Sequence, residues 1–194
     1  MRGKFIVLYG INNVGKTTQA KMLVDHVRKE GHSALYLKYP IYDLTPSGPL
    51  LNEYLRKGNP YKFNARELQL IYALNRAQYE PTLKTELAKG TIVVAEDYRG
   101  TGIAWGEGYG VDPQFLRNVN SAFVREDTAL LLRGKRFLFS VEKNHAHEED
   151  TALMERVRLA HERLAKENNW TPIDVAGTKE AVHQKIWTII KKML

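Results

Sequence analysis

The sequence predicts a three-layer α/β fold, with a five-stranded parallel sheet between helices. Three observations predict it. Short apolar runs rich in β-branched residues alternate along the chain with longer stretches of helical period. The runs are continuously apolar, as suits strands covered on both faces. A glycine-rich turn follows the first run and opens the first helical stretch.

The elements follow in order. Residues 5–9 form the first strand, and a helix is expected over about 16–30. A second strand at 34–37 leads to helices at 47–57 and 65–88. The β-branched run at 91–95 is the third strand, followed by a helix at 112–123 and a fourth strand at 128–132. A helix at 148–168, a fifth strand at 171–175 and a helix at 178–193 complete the chain. In the last helix Ala181, Val182, Ile186, Ile189 and Ile190 mark one apolar face, and Lys191 and Lys192 sit near its negative dipole end.

At 194 residues, 43% of them hydrophobic and 26% charged, the chain reads as one globular domain spanning 1–194. The absence of cysteine excludes disulfides, thiolate metal sites and cysteine nucleophiles. No apolar run reaches the roughly 18 residues of a membrane-spanning helix. Met1-Arg2-Gly3-Lys4 leads into too few apolar residues for a signal peptide, so a cytoplasmic protein is expected. The 29 Lys and Arg against 22 Asp and Glu give a formal charge of +7, which suits anionic partners. Nucleic acid, anionic lipid and phosphorylated small molecules all satisfy that criterion.

The most specific signal is Gly10-Ile11-Asn12-Asn13-Val14-Gly15-Lys16-Thr17-Thr18, a GxxxxGK[ST] phosphate loop placed between a strand and a helix. Its glycines let backbone N–H groups turn inward around a polyphosphate at a helix N-terminus. Lys16 would reach the β- and γ-phosphates of ATP, and the Thr17 hydroxyl would help hold Mg²⁺. Gly10, Asn12, Asn13, Val14, Gly15 and Thr18 complete the cradle. In parallel sheets ligands bind at the carboxyl ends of strands. The third strand ends in Glu96 and Asp97, the expected carboxylates for Mg²⁺. Asp97-Tyr98-Arg99-Gly100 also satisfies the DxxG of a regulatory GTPase, but no [NT]KxD guanine-reading motif follows it.

Several further blocks follow in order: Lys38-Tyr39-Pro40, Gly48-Pro49-Leu50-Leu51-Asn52-Glu53-Tyr54-Leu55, Leu70-Ile71-Tyr72-Ala73-Leu74-Asn75-Arg76, Val93-Val94-Ala95-Glu96-Asp97-Tyr98, Thr101-Gly102-Ile103-Ala104-Trp105 and Trp170-Thr171-Pro172-Ile173-Asp174. With the cradle, their order and spacing over nearly the whole chain resemble the thymidylate kinases, P-loop enzymes that pass the γ-phosphoryl group of ATP to dTMP. The resemblance implies the P-loop NTPase fold with a lid at about 134–150. It also implies that Tyr72 stacks on thymine, Arg76 touches base and phosphate, and Thr101 and Gly102 lie beside the base. Trp105 then crowds the 2′ position of the sugar and favours deoxyribose. Lys38, Tyr39 and Leu55 fall in the same acceptor subsite. Independently of the family, Tyr72 and Arg76 lie one turn apart on one helix face, a spacing that suits a nucleotide clamp of aromatic plane and planar cation and equally a core tyrosine beside a solvated surface charge.

The chain departs from the family at charged positions. Where relatives carry Asp-Arg-Tyr, it reads Glu96-Asp97-Tyr98, and Arg99 is the nearest substitute for the missing arginine. The usual acid of the cradle is Asn12. The lid stretch around Lys143 has histidine where relatives place arginine, leaving Arg133, Lys135 and Arg136 to take over. His145 and His147 with Glu148, Glu149 and Asp150 resemble a metal cluster, although an acidic run opening a helix is the simpler reading. The expected catalytic set is Lys16, Glu96, Asp97 and Arg99, with Thr17, Glu96 and Asp97 toward the metal. The partners expected are ATP and dTMP rather than nucleic acid or membrane, and the family's habit suggests a homodimer. A kinase for another nucleotide or a deoxynucleoside, a nucleotide switch and a weakly active relative are the alternatives.

Overall fold

The computed structural model describes residues 2–135 and 150–194. Five strands, β1 (Phe5–Tyr9), β2 (Ala34–Lys38), β3 (Ile92–Glu96), β4 (Thr128–Arg133) and β5 (Thr171–Asp174), pair in parallel in the order β2-β3-β1-β4-β5. Seven helices are described: α1 (Lys16–Lys29), α2 (Ser47–Lys57), α3 (Ala65–Ala88), α4 (Arg99–Gly108), α5 (Pro113–Asn120), α6 (Thr151–Glu167) and α7 (Lys179–Ile190).

Alternation along the strands separates two cores. Phe5, Val7 and Tyr9 of β1 join Val93, Ala95, Ala129 and Leu131 on the face covered by α3, α4 and α6. Ile6 and Leu8 join Val94, Leu130 and Leu132 on the face covered by α1 and α7. With period 2 and both faces covered, every residue of β1 is buried, which explains the unbroken apolar run.

Local signals set most helix starts. Asn64 and Glu67 form a reciprocal capping box at α3, with bonds of 2.9 Å and 2.8 Å. Asp112 caps α5, with Pro113 as its first residue, and Thr178 caps α7. Asp150 caps α6 through Leu153 N at 2.8 Å, as an acid opening that helix should. The other residues of the possible histidine and acid cluster lie outside the described residues.

The sequence reading omits one element, α4. Four of its ten residues are glycine, so its intrinsic helix propensity is poor. Tertiary packing overrides this. A β-carbon on Gly106 would lie 2.5 Å from Leu116 Cδ2, and one on Gly108 would lie 2.6 Å from Val157 Cγ2. The glycines let α4 approach α5 and α6 more closely than any side chain would permit. The Asp97–Gly100 match to DxxG therefore leads into this packed helix, where the Gly100 N–H points to the Tyr9 hydroxyl at 3.4 Å.

Candidate active site

The carboxyl ends of β1 and β3 open onto a cavity of ≈ 630 Å³. One end is the cradle. Its turn needs backbone that L side chains rarely adopt, with φ of 140° at Gly10 and 95° at Gly15, and a β-carbon at Gly10 would meet Leu132 O at 2.7 Å. Asn12, Asn13, Val14, Gly15, Lys16, Thr17 and Thr18 line the cavity, and Gly10 contributes its carbonyl. Lys16 is only 5% exposed. Its Nζ donates to Gly10 O at 2.9 Å and to Ile11 O at 3.0 Å, and lies 3.7 Å from Asp97 Oδ1.

Glu96 gathers the polar groups between the two ends of the cavity. Thr17 Oγ1 donates to its Oε1 at 2.9 Å, Tyr36 donates to its Oε2 at 2.7 Å, and Lys38 Nζ sits 3.1 Å away. Burial alone would raise the Glu96 pKa, but Lys16, Lys38 and the two hydroxyl donors outweigh it and hold the carboxyl below its ordinary range. Burial raises the Asp97 pKa, with the neighbouring Glu96 charge adding to the effect against the opposing pull of Lys16. Asp97 also has a φ of 63°, uncommon for a non-glycine residue and a form of backbone strain found at functional sites. The Thr17 hydroxyl, Glu96 and adjacent Asp97 are hard oxygen donors beside the phosphate cradle, and this donor set fits Mg²⁺. When bound, the ion would neutralise charge on the phosphates.

The other end of the cavity is aromatic. Tyr72 packs against Tyr54, Leu55 and Leu68, while Trp105 and Tyr109 come from α4 and its C-terminal boundary. Arg76 reaches into this end from α3 and is 3% exposed. Its Nε and Nη2 have no hydrogen-bond partner among the described residues. Burial lowers its pKa to about 10, and its guanidinium lies 5.5 Å from the centre of the Phe123 ring. Gly102 makes room for it, since a β-carbon there would come within 3.1 Å of Nη2. The enclosed hydroxyls of Tyr39 and Tyr98 also lack partners among the described residues. A desolvated cation beside unsatisfied hydroxyls is costly unless a ligand completes it.

Lys38, Tyr39, Leu55, Tyr72, Arg76, Thr101, Gly102 and Trp105 all line the cavity. The Thr101 hydroxyl, expected beside a base, donates instead to Asp97 Oδ1 at 2.8 Å. Arg99 is a correction. Its Nη2 binds Glu126 at 2.7 Å, and it does not line the cavity. Opening α4 turns the side chain toward Glu126, so it does not replace the arginine missing from the strand end. Arg133 is likewise engaged by Glu162 at 3.3 Å and, with Lys135, lies off the cavity wall. Arg136 and Lys143 fall outside the described residues.

The sequence reading missed Tyr36, Tyr42, Gln69 and Tyr98, together with Val175, Gly177, Lys179 and Val182 near the cradle. The last group reaches the site through sheet order, and Gln19 Nε2 ties it to the cradle by donating to Lys179 O at 2.9 Å. Gln69 was legible in principle, because positions 69, 72 and 76 recur on one helix face.

A parallel sheet with a phosphate cradle, continuous with a second subsite that holds a buried cation, defines a P-loop nucleotide kinase. The comparisons with known proteins narrow that class. The family model described as Thymidylate kinase matches residues 8–186, and the chain belongs to the thymidylate kinase family. It is 30% identical to the human thymidylate kinase over 95% of this chain and 88% of that protein. It is 28% identical to a thymidylate kinase of Halothermothrix orenii over 100% and 99% of the two chains. A thymidylate kinase structure from Candida albicans shares the fold at a TM-score of 0.82 and 23% identity, covering 98% of this chain and 92% of that one.

Proposed function

We propose that this chain transfers the γ-phosphoryl group of ATP to dTMP, giving ADP and dTDP, with Mg²⁺ held beside Thr17, Glu96 and Asp97. The observation that carries this reading is the continuity of one cavity from the Lys16 cradle to the Tyr72 and Arg76 end. Donor and acceptor bound at its two ends bring their phosphates together beside Lys38 and Glu96. An acceptor phosphate oxygen attacks Pγ, the bond from Pγ to the β–γ bridging oxygen breaks, and that oxygen leaves on ADP. The acceptor phosphate is already a nucleophile, so no general base is required. Catalysis is then positioning and charge stabilisation, supplied from the chain by Lys16 and the cradle N–H groups.

At the acceptor end Tyr72 offers its ring for stacking, Arg76 offers donors to base and phosphate, and Trp105 crowds the sugar. The cytoplasmic setting, expected from the sequence, and the homodimer, expected from the family resemblance, remain part of this proposal. A coupled assay of ADP release with ATP, Mg²⁺ and a panel of dTMP, dUMP, dCMP, dGMP and thymidine tests the reading. dTMP is expected to stimulate ADP formation most. A protein stimulated by no monophosphate, or by thymidine alone, would overturn it.

A further inference from the structure

Tyr36 is absent from the cavity wall, yet its hydroxyl touches the carboxylate at the centre of the site. It lies on the edge strand β2, two residues before Lys38, so the two side chains leave the same face of the sheet. In the parallel register Lys38 stands opposite Glu96 and Tyr36 opposite Val94, which makes Tyr36 the diagonal neighbour of Glu96. An aromatic side chain spans such a diagonal. The ring packs against the core on the α1 face, with Lys21 Nζ 5.7 Å from its centre, and the hydroxyl reaches Glu96 Oε2 at 2.7 Å.

The two oxygens of Glu96 are thereby given different partners. Oε1 accepts from the Thr17 hydroxyl at 2.9 Å and lies 3.1 Å from Lys38 Nζ, whereas Oε2 accepts from Tyr36. A glutamate carboxylate ends three rotatable bonds, one more than that of an aspartate, so its heading depends on what holds it. The three donors are not equivalent in this respect. Thr17 and Lys38 line the cavity and are the groups assigned above to the metal and the phosphates, so in the loaded site their hold on Glu96 is shared. Tyr36 lies outside the cavity and keeps its bond to Glu96 whatever the cavity contains.

We propose that Tyr36 is a positioning residue that acts through Glu96: its hydroxyl ties down Oε2 and so keeps Oε1 turned toward Thr17 and the metal site. This inference rests on the reading above that sets Mg²⁺ beside Thr17, Glu96 and Asp97. Carboxylates that serve a metal are themselves held by hydrogen bonds, and losing such a bond lowers metal affinity roughly 10–100-fold.

Calorimetric titration with ATP, once in Mg²⁺ and once in EDTA, gives the factor by which the metal changes ATP affinity, with no reference to turnover. In Tyr36→Phe, which keeps the ring and removes the hydroxyl, that factor is expected to fall about tenfold from its wild-type value, while Kd for ATP in EDTA stays unchanged. Glu96→Gln is expected to lower it at least as far. Adding Tyr36→Phe to Glu96→Gln is then expected to cost nothing more, because the acid through which Tyr36 acts is gone, whereas a purely structural effect of the hydroxyl would persist. Tyr36→Met, which also lacks the hydroxyl, carries the same measurements if the phenylalanine variant does not fold. A Tyr36→Phe protein with wild-type Mg²⁺ dependence, one equally weakened in EDTA, or one whose loss survives in the Glu96→Gln background overturns the role of Tyr36 and leaves the kinase reading intact. If Glu96→Gln itself leaves the Mg²⁺ dependence unchanged, the placement of the metal fails and this inference fails with it.

Discussion

Arg76 sets stability against function, and the size of the conflict follows from the structure. Its guanidinium is 3% exposed, two of its nitrogens lack partners among the described residues, and burial lowers its pKa from the ordinary arginine value to about 10. At about 1.4 kcal/mol per tenfold change, holding the cation in the folded protein at neutral pH costs roughly 3 kcal/mol. Replacing Arg76 with methionine, apolar and similar in length, removes that cost. It also removes the contact with Phe123, worth about 2 kcal/mol for a desolvated cation over a ring. The net expectation is a gain of about 1 kcal/mol, equivalent to a rise in Tm of roughly 2–4 °C for a chain of this size. The same substitution takes the donors away from the acceptor subsite. Thermal unfolding of wild type and Arg76→Met, each with and without saturating dTMP, measures both effects. For the wild type, dTMP at a hundred times its Kd should add about 2.7 kcal/mol of stability, and in the variant that increment should disappear. A lower Tm for the ligand-free variant, or a dTMP shift that survives the substitution, would refute the reasoning.

Two further predictions concern the framework. Gly100→Ala should destabilise, although helix propensity alone favours alanine by about 1 kcal/mol. Its β-carbon would lie 2.3 Å from Trp170 Cη2 in a ring stacked on Tyr9 at 4.0 Å, and overpacking of this kind costs about 1–3 kcal/mol. The checking measurement is Tm, and a variant more stable than wild type contradicts the packing account. Buried His161 on α6 has its pKa lowered to about 4, mainly by burial, with its backbone bond to Val157 opposing and Lys16 adding to the shift. Because the folded pKa lies below the unfolded value near 6.5, its effect is negligible above pH 6.5. Stability is lost as pH falls toward 4, by about 2 kcal/mol between pH 7.5 and pH 5. Urea unfolding at those two pH values should show that loss shrinking by the same amount in His161→Phe, and an unchanged loss would rule His161 out as its source.

What the sequence determined by itself was everything governed by local chemistry or by one period. The strands announced themselves because burial on both faces demands unbroken apolar runs, and the cradle because phosphate binding demands glycine, lysine and hydroxyl at set positions. The same logic applied to Tyr72 and Arg76, which one helix turn brings together. Tertiary structure alone decided what depends on distant partners. It made a helix of residues 99–108, because glycines that weaken an isolated helix are what permits close packing against α5 and α6. It turned Arg99 toward Glu126 rather than the phosphates, a choice between two anions that composition does not distinguish. It also carried residues 175–182 to the cradle through β5, and left the Gln69 oxygen and the Arg76 Nε and Nη2 enclosed without partners among the described residues. Desolvation is a property of the assembled fold. No residue type or spacing announces that a polar atom will be buried and left for a ligand to satisfy.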